Sequence, residues 1–212
     1  MNGTWETGRT EAFSDGVFAI AITLLVLDIS VPESAFDDLW RGIGHQWPAY
    51  LGFVTSFLTI GGIWLGHHAI FRRLRSANNA VMRINLLLLM AVSFLPFPTR
   101  LMAEAIRNDS AERAAVVFYG ISLFVTSVLI SVLWGAVVRD RKRLLKPEVS
   151  DREVSAVTRA ATPNTAFYLG GTVLALFFPK AAAIAYLVAA TIAVIRVQGE
   201  HDRPSPSPEQ VE

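Results

Sequence analysis

Asp15 and Asp28 bracket an otherwise apolar run, Gly16-Val17-Phe18-Ala19-Ile20-Ala21-Ile22-Thr23-Leu24-Leu25-Val26-Leu27, and the cluster Arg9, Phe13, Ser14, Asp15 stands immediately before it. A helix rises about 1.5 Å per residue, so the two carboxylates lie roughly 20 Å apart. A bilayer's hydrocarbon core is about 30 Å thick, which puts at least one carboxylate of a spanning helix at hydrocarbon level. A lone ionised side chain at the bilayer centre costs about 2.5 to 3.5 kcal/mol even on the gentlest scale, so such groups face protein or a water-filled cavity. These residue types therefore suit an ion or proton pathway, or a polar anchor that fixes the helix.

The apolar run itself has a defined face. At about 100° per residue, Gly16, Thr23, Leu24 and Leu27 fall within about 60° of the direction of Ile20. Asp15 points away from that face, and Asp28 lies at its edge toward the far end, where a pore mouth would be. A mostly aliphatic stripe with one hydroxyl admits two readings. In one it is a packing seam, Ser14 or Asp15 caps a helix, and Thr23 bonds back to its own backbone. In the other it is the wall of a conduit, and the short separation of the two acids favours this second reading.

Trp64, His67, His68 and Asn85 are further polar groups within apolar segments. Imidazoles are common haem and metal ligands. However, His45 and His201 lie outside the apolar segments, so no second intramembrane histidine helix completes a ligand cage. No metal or cofactor is expected. The absence of cysteine removes thiolate metal sites, disulfides and cysteine nucleophiles. There is no Walker motif, dinucleotide glycine fingerprint or Gly-x-Ser-x-Gly elbow, and no credible catalytic constellation, so an enzyme is not expected.

The elements that position these residues are spanning helices. The composition is 52% hydrophobic and 17% charged with mean hydropathy +0.42, and the apolar residues come in long blocks, which indicates an all-α polytopic membrane protein. After the first run, apolar segments cover roughly 48 to 71, 82 to 103, 114 to 138, 164 to 178 and 181 to 196, most of them near the ~20 residues that a span needs. The last two adjoin each other, and Pro179-Lys180 divides them into a tight hairpin of two short helices. Gly62-x-x-x-Gly66 and Gly170-Gly171 mark close helix contacts.

Six spans with both termini cytoplasmic place most of the 19 basic residues inside, including Arg72, Arg73, Arg75, Arg83, Arg139, Arg141, Lys142, Arg143 and Lys146. Only Arg41, Arg100, Arg107, Arg113 and Lys180 remain outside. The basic stretch Arg139 to Lys146 is a positive-inside anchor with anionic lipid contact as a minor addition, not a nucleic-acid patch. Acidic residues, rather than a basic leader, precede the first apolar run, so no cleavable signal peptide is expected. Residues 1–198 form the six-span subunit. The Pro/Ser-rich stretch 199–212 reads as a disordered tail.

Arg9 and Phe13-Ser14-Asp15-Gly16 leading into Ala19 to Leu27 resemble the signature of the lysosomal potassium channel family, transmembrane protein 175, and its bacterial relatives. The resemblance extends to Trp64-Leu65-Gly66-His67-His68, to Asn85 and to Phe94-Leu95-Pro96-Phe97, with a six-span layout over nearly the whole chain. It implies a passive, potassium-preferring cation channel in a bacterial plasma membrane, with the first helix lining the pore and a homotetramer around it. Carried over by position, the hydrophobic constriction falls on Ile20, with further aliphatic rings at Leu24 and Leu27, and the selectivity-linked threonine on Thr23. Arg9, Phe13, Ser14, Asp15, Trp64, His67, His68 and Asn85 correspond to a structural polar network beneath the pore helix. Spacing leaves open which histidine joins it. The implied partners are further copies of the chain, potassium ions and membrane lipid, with no nucleic acid and no cofactor beyond the permeant ion. A proton-coupled or other secondary transporter is the alternative, since intramembrane acids and histidines also serve proton relays.

Overall fold

Apolar blocks longer than a helical turn and punctuated by proline, asparagine and serine fold into helices whose starts are readable from their caps. The computed structural model describes the backbone of residues 7–106 and 111–201, and side chains throughout these segments except at 34–35, 160–164 and 196–201. The elements in order are α1 (Thr7–Leu24), a 3-10 turn (Leu25–Asp28), a second 3-10 stretch (Glu33–Asp38), α2 (Leu39–His45), α3 (Trp47–Arg73), α4 (Asn79–Phe94), α5 (Pro96–Ala105), α6 (Glu112–Arg139), α7 (Arg141–Leu144), α8 (Asp151–Phe177) and α9 (Pro179–His201). Asn78 caps α4 by accepting from Val81 N at 2.9 Å, and Asp38 caps α2 by accepting from Arg41 N at 3.2 Å. Proline opens α3, α5 and α9, where its missing N–H would have no intrahelical partner.

Four helical segments are long and apolar enough to cross a membrane: Thr7–Asp28, Trp47–Arg73, Asn79–Ala105 and Glu112–Arg139. Thr165–Phe177 and Pro179–Ile195 are shorter apolar helices. The third segment is interrupted at Leu95-Pro96, because Pro96 has no N–H for the helical ladder, and α4 and α5 are separate helices rather than one unbroken span. The hairpin division at Pro179 is present, and α8 packs on α9. The first of the pair is longer than its apolar part. It starts at Asp151, where Ser150 Oγ accepts from Glu153 N at 3.3 Å in a Ser-x-x-Glu capping arrangement. At the other end α9 runs to His201, and residues 202–212 of the expected tail lie outside the described residues.

The core is organised around α3 and α6. The α3 helix packs on α1, α5 and α9, while α6 packs on α4, α5 and α8. Ile60, Leu88, Val92, Leu95, Tyr119, Leu123, Leu133 and Tyr186 are buried between them. Glycines let some helices close up. A Cβ on Gly62 would touch Ala193 at 3.7 Å, and one on Gly66 would press on Ile130 at 3.3 Å. A Cβ on Gly171 would collide with the Tyr186 ring at 2.6 Å, and Gly120 would meet the Tyr186 hydroxyl. Gly170 differs from the expected contact, since nothing lies within 4 Å of a Cβ placed there. In the helix, adjacent residues point about 100° apart, so only one glycine of the pair can face α9.

A hydroxyl cluster crosses this core, and nothing in the apolar pattern signalled it. Ser56 Oγ lies 2.6 Å from Thr99 Oγ1 and 2.9 Å from Tyr119 OH, all three groups buried. On one edge of the molecule the α3–α4 and α6–α8 connections meet in a single antiparallel bridge, Leu74 with Leu145.

Candidate ion-pathway helix and its polar support

The two sides of α1 differ sharply. Thr10, Ser14, Phe18, Ala21 and Leu25 recur at the three- and four-residue spacing of one helix face and are buried against α3 and α4. Phe18 is 1% exposed, whereas Ile20 is 61% and Leu27 72% exposed. Phe13, Gly16, Thr23 and Leu24 are exposed as well. The subunit therefore leaves uncovered the stripe picked out by periodicity. Thr23 Oγ1 donates to its own backbone, 3.0 Å from both Ala19 O and Ile20 O. That contact uses the hydroxyl proton and leaves oxygen lone pairs able to accept a cation or a water.

The helix changes character before its end. From Leu25 to Asp28 it tightens into a 3-10 turn of about 120° per residue, so Leu27 stays near the exposed stripe while Asp28 swings off the edge position expected from uniform α geometry. Asp28 is partly buried, and Arg100 and Glu104 of α5 are its charged neighbours. Arg100 Nε in turn donates to Glu104 Oε1 at 2.8 Å.

Beneath the stripe the polar side chains pair helix against helix. Trp64 Nε1 donates to Asp15 Oδ1 at 2.8 Å. One turn away along both helices, Glu11 Oε1 lies 3.0 Å from His68 Nδ1, at ion-pair distance but without hydrogen-bond alignment. The antiparallel α1 and α3 thus match residues four apart on one with residues four apart on the other. The His68 ring also stacks on Trp64, with centroids 5.7 Å apart.

A second line runs deeper. Asn85 of α4 stands between α1 and α3, its Oδ1 2.9 Å from His67 Nε2 and its Nδ2 donating to Ser14 Oγ at 3.0 Å. Ser14 Oγ passes the chain on to Thr10 O at 2.8 Å. Because Asn85 Oδ1 can only accept, His67 donates from Nε2. The imidazole is fully buried between Phe18, at 5.3 Å, and Phe71, stacked at 4.3 Å. His67 is therefore the histidine that shares the direction of Asn85, and His68 faces Glu11 instead. Buried polar groups of this kind need partners, since each one left unpaired costs about 1–3 kcal/mol.

Two of the expected network members stand apart in the single chain. Arg9 is exposed and holds no side-chain hydrogen bond among the described residues, and Phe13 is 58% exposed on the open face of α1. Thr10 and Glu11 take part instead. Glu11 was legible in principle, being one turn before Asp15 on the same side. Among the described residues no three His, Asp or Glu side chains gather where a metal ion could be held.

Comparison with known proteins accords with this arrangement. The family model described as the endosomal/lysosomal potassium channel TMEM175 matches residues 9–96, the stretch from the start of the α1 cluster to the opening of α5. A protein of Streptomyces collinus named as a potassium channel is 43% identical over 155 residues, covering 73% of this chain and 74% of its own length. Another of Chamaesiphon minutus, also named as a potassium channel, is 44% identical over 168 residues, covering 77% of this chain and 81% of its own. The crystal structure of a lysosomal potassium-selective channel TMEM175 homolog from Chamaesiphon minutus superposes with a TM-score of 0.81 at 36% identity, over 90% of this chain and 97% of that one. The chain, with Ser14 braced against Asn85 and Asp15 against Trp64, belongs to the TMEM175 family.

Proposed function

We infer that the protein is a passive, potassium-preferring cation channel of a bacterial plasma membrane, with six spans, both termini cytoplasmic, and copies of α1 from a homotetramer surrounding the pore. One observation carries this reading. A helix anchored by buried polar bonds on one side presents an uncovered aliphatic stripe with a single hydroxyl on the other. The potassium channels among the relatives, and the potassium-selective homolog that shares the fold, support the choice of ion.

The residues take distinct roles. Ile20 forms the constriction, with Leu24 and Leu27 as further aliphatic rings, and a narrow aliphatic ring closes a pore by dewetting. One turn away, Thr23 from each copy offers a hydroxyl oxygen that replaces part of the ion's water shell. Such a sparse filter gives moderate rather than strict preference for potassium over sodium. Asp28 stands near the mouth with its field partly offset by Arg100. Ser14, Asp15, Trp64, His67, His68 and Asn85 hold the helix in register and do not touch the ion. Arg9 and Phe13, open in the single chain, face neighbouring copies.

Reversal potentials in bilayers under asymmetric potassium and sodium test the reading. The wild-type protein is expected to shift toward the potassium equilibrium potential without nucleotide. Thr23→Val is expected to lower the potassium-to-sodium permeability ratio about fivefold, the factor for about 1 kcal/mol, the net worth of one hydroxyl contact. An unchanged ratio in that variant removes Thr23 from the filter. Saturable flux that requires a proton gradient points to a carrier instead.

A further inference from the structure

We propose that the knitted loops at the Leu74–Leu145 bridge form a docking platform for the anionic headgroups of membrane phospholipids. Segments 72–75 and 139–146 carry eight basic residues, Arg72, Arg73, Arg75, Arg139, Arg141, Lys142, Arg143 and Lys146, against one acid, Asp140. The two segments lie far apart in sequence and are tied together by backbone bonds, Arg75 N to Leu144 O at 2.9 Å and Lys146 N to Arg73 O at 3.0 Å. The Arg75 guanidinium adds Nε to Arg143 O at 2.7 Å and Nη2 to Lys142 O at 2.8 Å, and Ser76 Oγ reaches Arg143 O at 3.2 Å.

Little of this charge is neutralised within the chain. Arg141 pairs with Asp151 at 2.6 Å, and Arg73 Nη1 donates to Ala69 O at 2.7 Å. Arg72, Arg139, Lys142, Arg143 and Lys146 are exposed and hold no ion pair among the described residues. Concentrated like charge is self-repelling and is relieved by external anions. Loop charge alone suffices to orient a membrane protein. It does not call for a bridge that fixes two basic loops side by side, whereas a fixed pair suits a phosphodiester, which takes several charge-assisted bonds at once.

Position selects the occupant. The platform sits at the ends of α3 and α6, two of the helices long and apolar enough to cross a membrane, so lipid phosphates are the anions nearest to it.

The full-length protein in nanodiscs of phosphatidylcholine mixed with phosphatidylglycerol provides the test, with native mass spectrometry counting the lipids that stay bound. Phosphatidylglycerol is expected to be enriched over its share of the bilayer, and the enrichment to fall as salt rises. The combined variant Lys142→Gln, Arg143→Gln, Lys146→Gln is expected to lose about tenfold or more of it, given roughly 1 kcal/mol per basic residue near an anionic surface. Lys180→Gln, which lies at the start of α9 away from the platform, is expected to keep it. Equal retention of both lipids, enrichment indifferent to salt, or an undiminished triple variant would overturn the proposal. Displacement by inorganic phosphate would also overturn it, assigning the platform to a free anion. Should the triple variant fail to fold, the salt series on the wild-type protein still decides.

Discussion

Ile20→Ser is expected to raise the basal cation current of reconstituted protein at least tenfold, the factor corresponding to about 1.4 kcal/mol of barrier. The reason lies in the wetting of a narrow ring. An aliphatic side chain that is 61% exposed on the open face of α1 offers water no hydrogen bond, so the proposed constriction of several copies would exclude it and the ions it carries. A serine at the same place shortens the side chain and supplies a donor and an acceptor in every copy. Because Ile20 contributes little to the subunit's own core, the exchange leaves folding nearly intact, and the gain reports on the conduit. Single-channel recording in planar bilayers checks the effect, and an unaltered current at equal protein content places the constriction elsewhere.

The second large effect is structural and concerns Asn85. Asn85→Ala leaves His67 Nε2 without its partner, removes the donor to Ser14 Oγ while the Ser14 bond to Thr10 O remains, and opens a small cavity between α1, α3 and α4. At about 1–3 kcal/mol for the orphaned imidazole N–H, with the lost contact to Ser14 and the cavity added, a loss of roughly 2–4 kcal/mol is expected. For a chain of this length that corresponds to a fall in Tm of about 5–15 °C. Arg9→Ala in the same assay is expected to shift stability by less than about 0.5 kcal/mol, as an exposed residue without a bond within the chain should. Thermal unfolding in detergent measures both. If Asn85→Ala melts with the wild type, the network does not hold α1. If Arg9→Ala falls as far as Asn85→Ala, Arg9 joins the network through a neighbouring copy.

Much of this architecture was legible because membrane helices announce themselves by apolar length. The first run, the α3 and α6 segments and the break before Pro179 could be read directly. The division of α4 from α5 was harder to read, since Pro96 lies within a continuous apolar stretch and hydropathy is blind to a missing N–H. The N-terminal half of α8 is polar, and its start was signalled only by Ser150 and Glu153, a cap rather than a pattern.

The site was legible in part. Periodicity picked out the exposed stripe because the same spacing that buries Thr10, Ser14 and Phe18 must expose Gly16, Ile20 and Thr23. Spacing does not choose between His67 and His68, since the answer depends on which side of α3 meets α4. The 3-10 turn at Leu25–Asp28 also escapes uniform helical counting, and with it the placement of Asp28 beside α5. The Ser56, Thr99 and Tyr119 cluster was hidden because a serine or threonine in an apolar helix usually satisfies itself on its own backbone.

The chain contains no cysteine, so thiols can be placed one at a time along α1 without background. Single-cysteine variants at Ile20, Thr23 and Leu27, compared with Phe18 and Ala21, measure directly which side of the helix meets water, because charged methanethiosulfonate reagents modify only hydrated thiols. Potassium current is expected to be blocked upon modification at Ile20, Thr23 and Leu27 and untouched at Phe18 and Ala21. Insensitivity at all three open positions, or equal modification at the two buried ones, would contradict it.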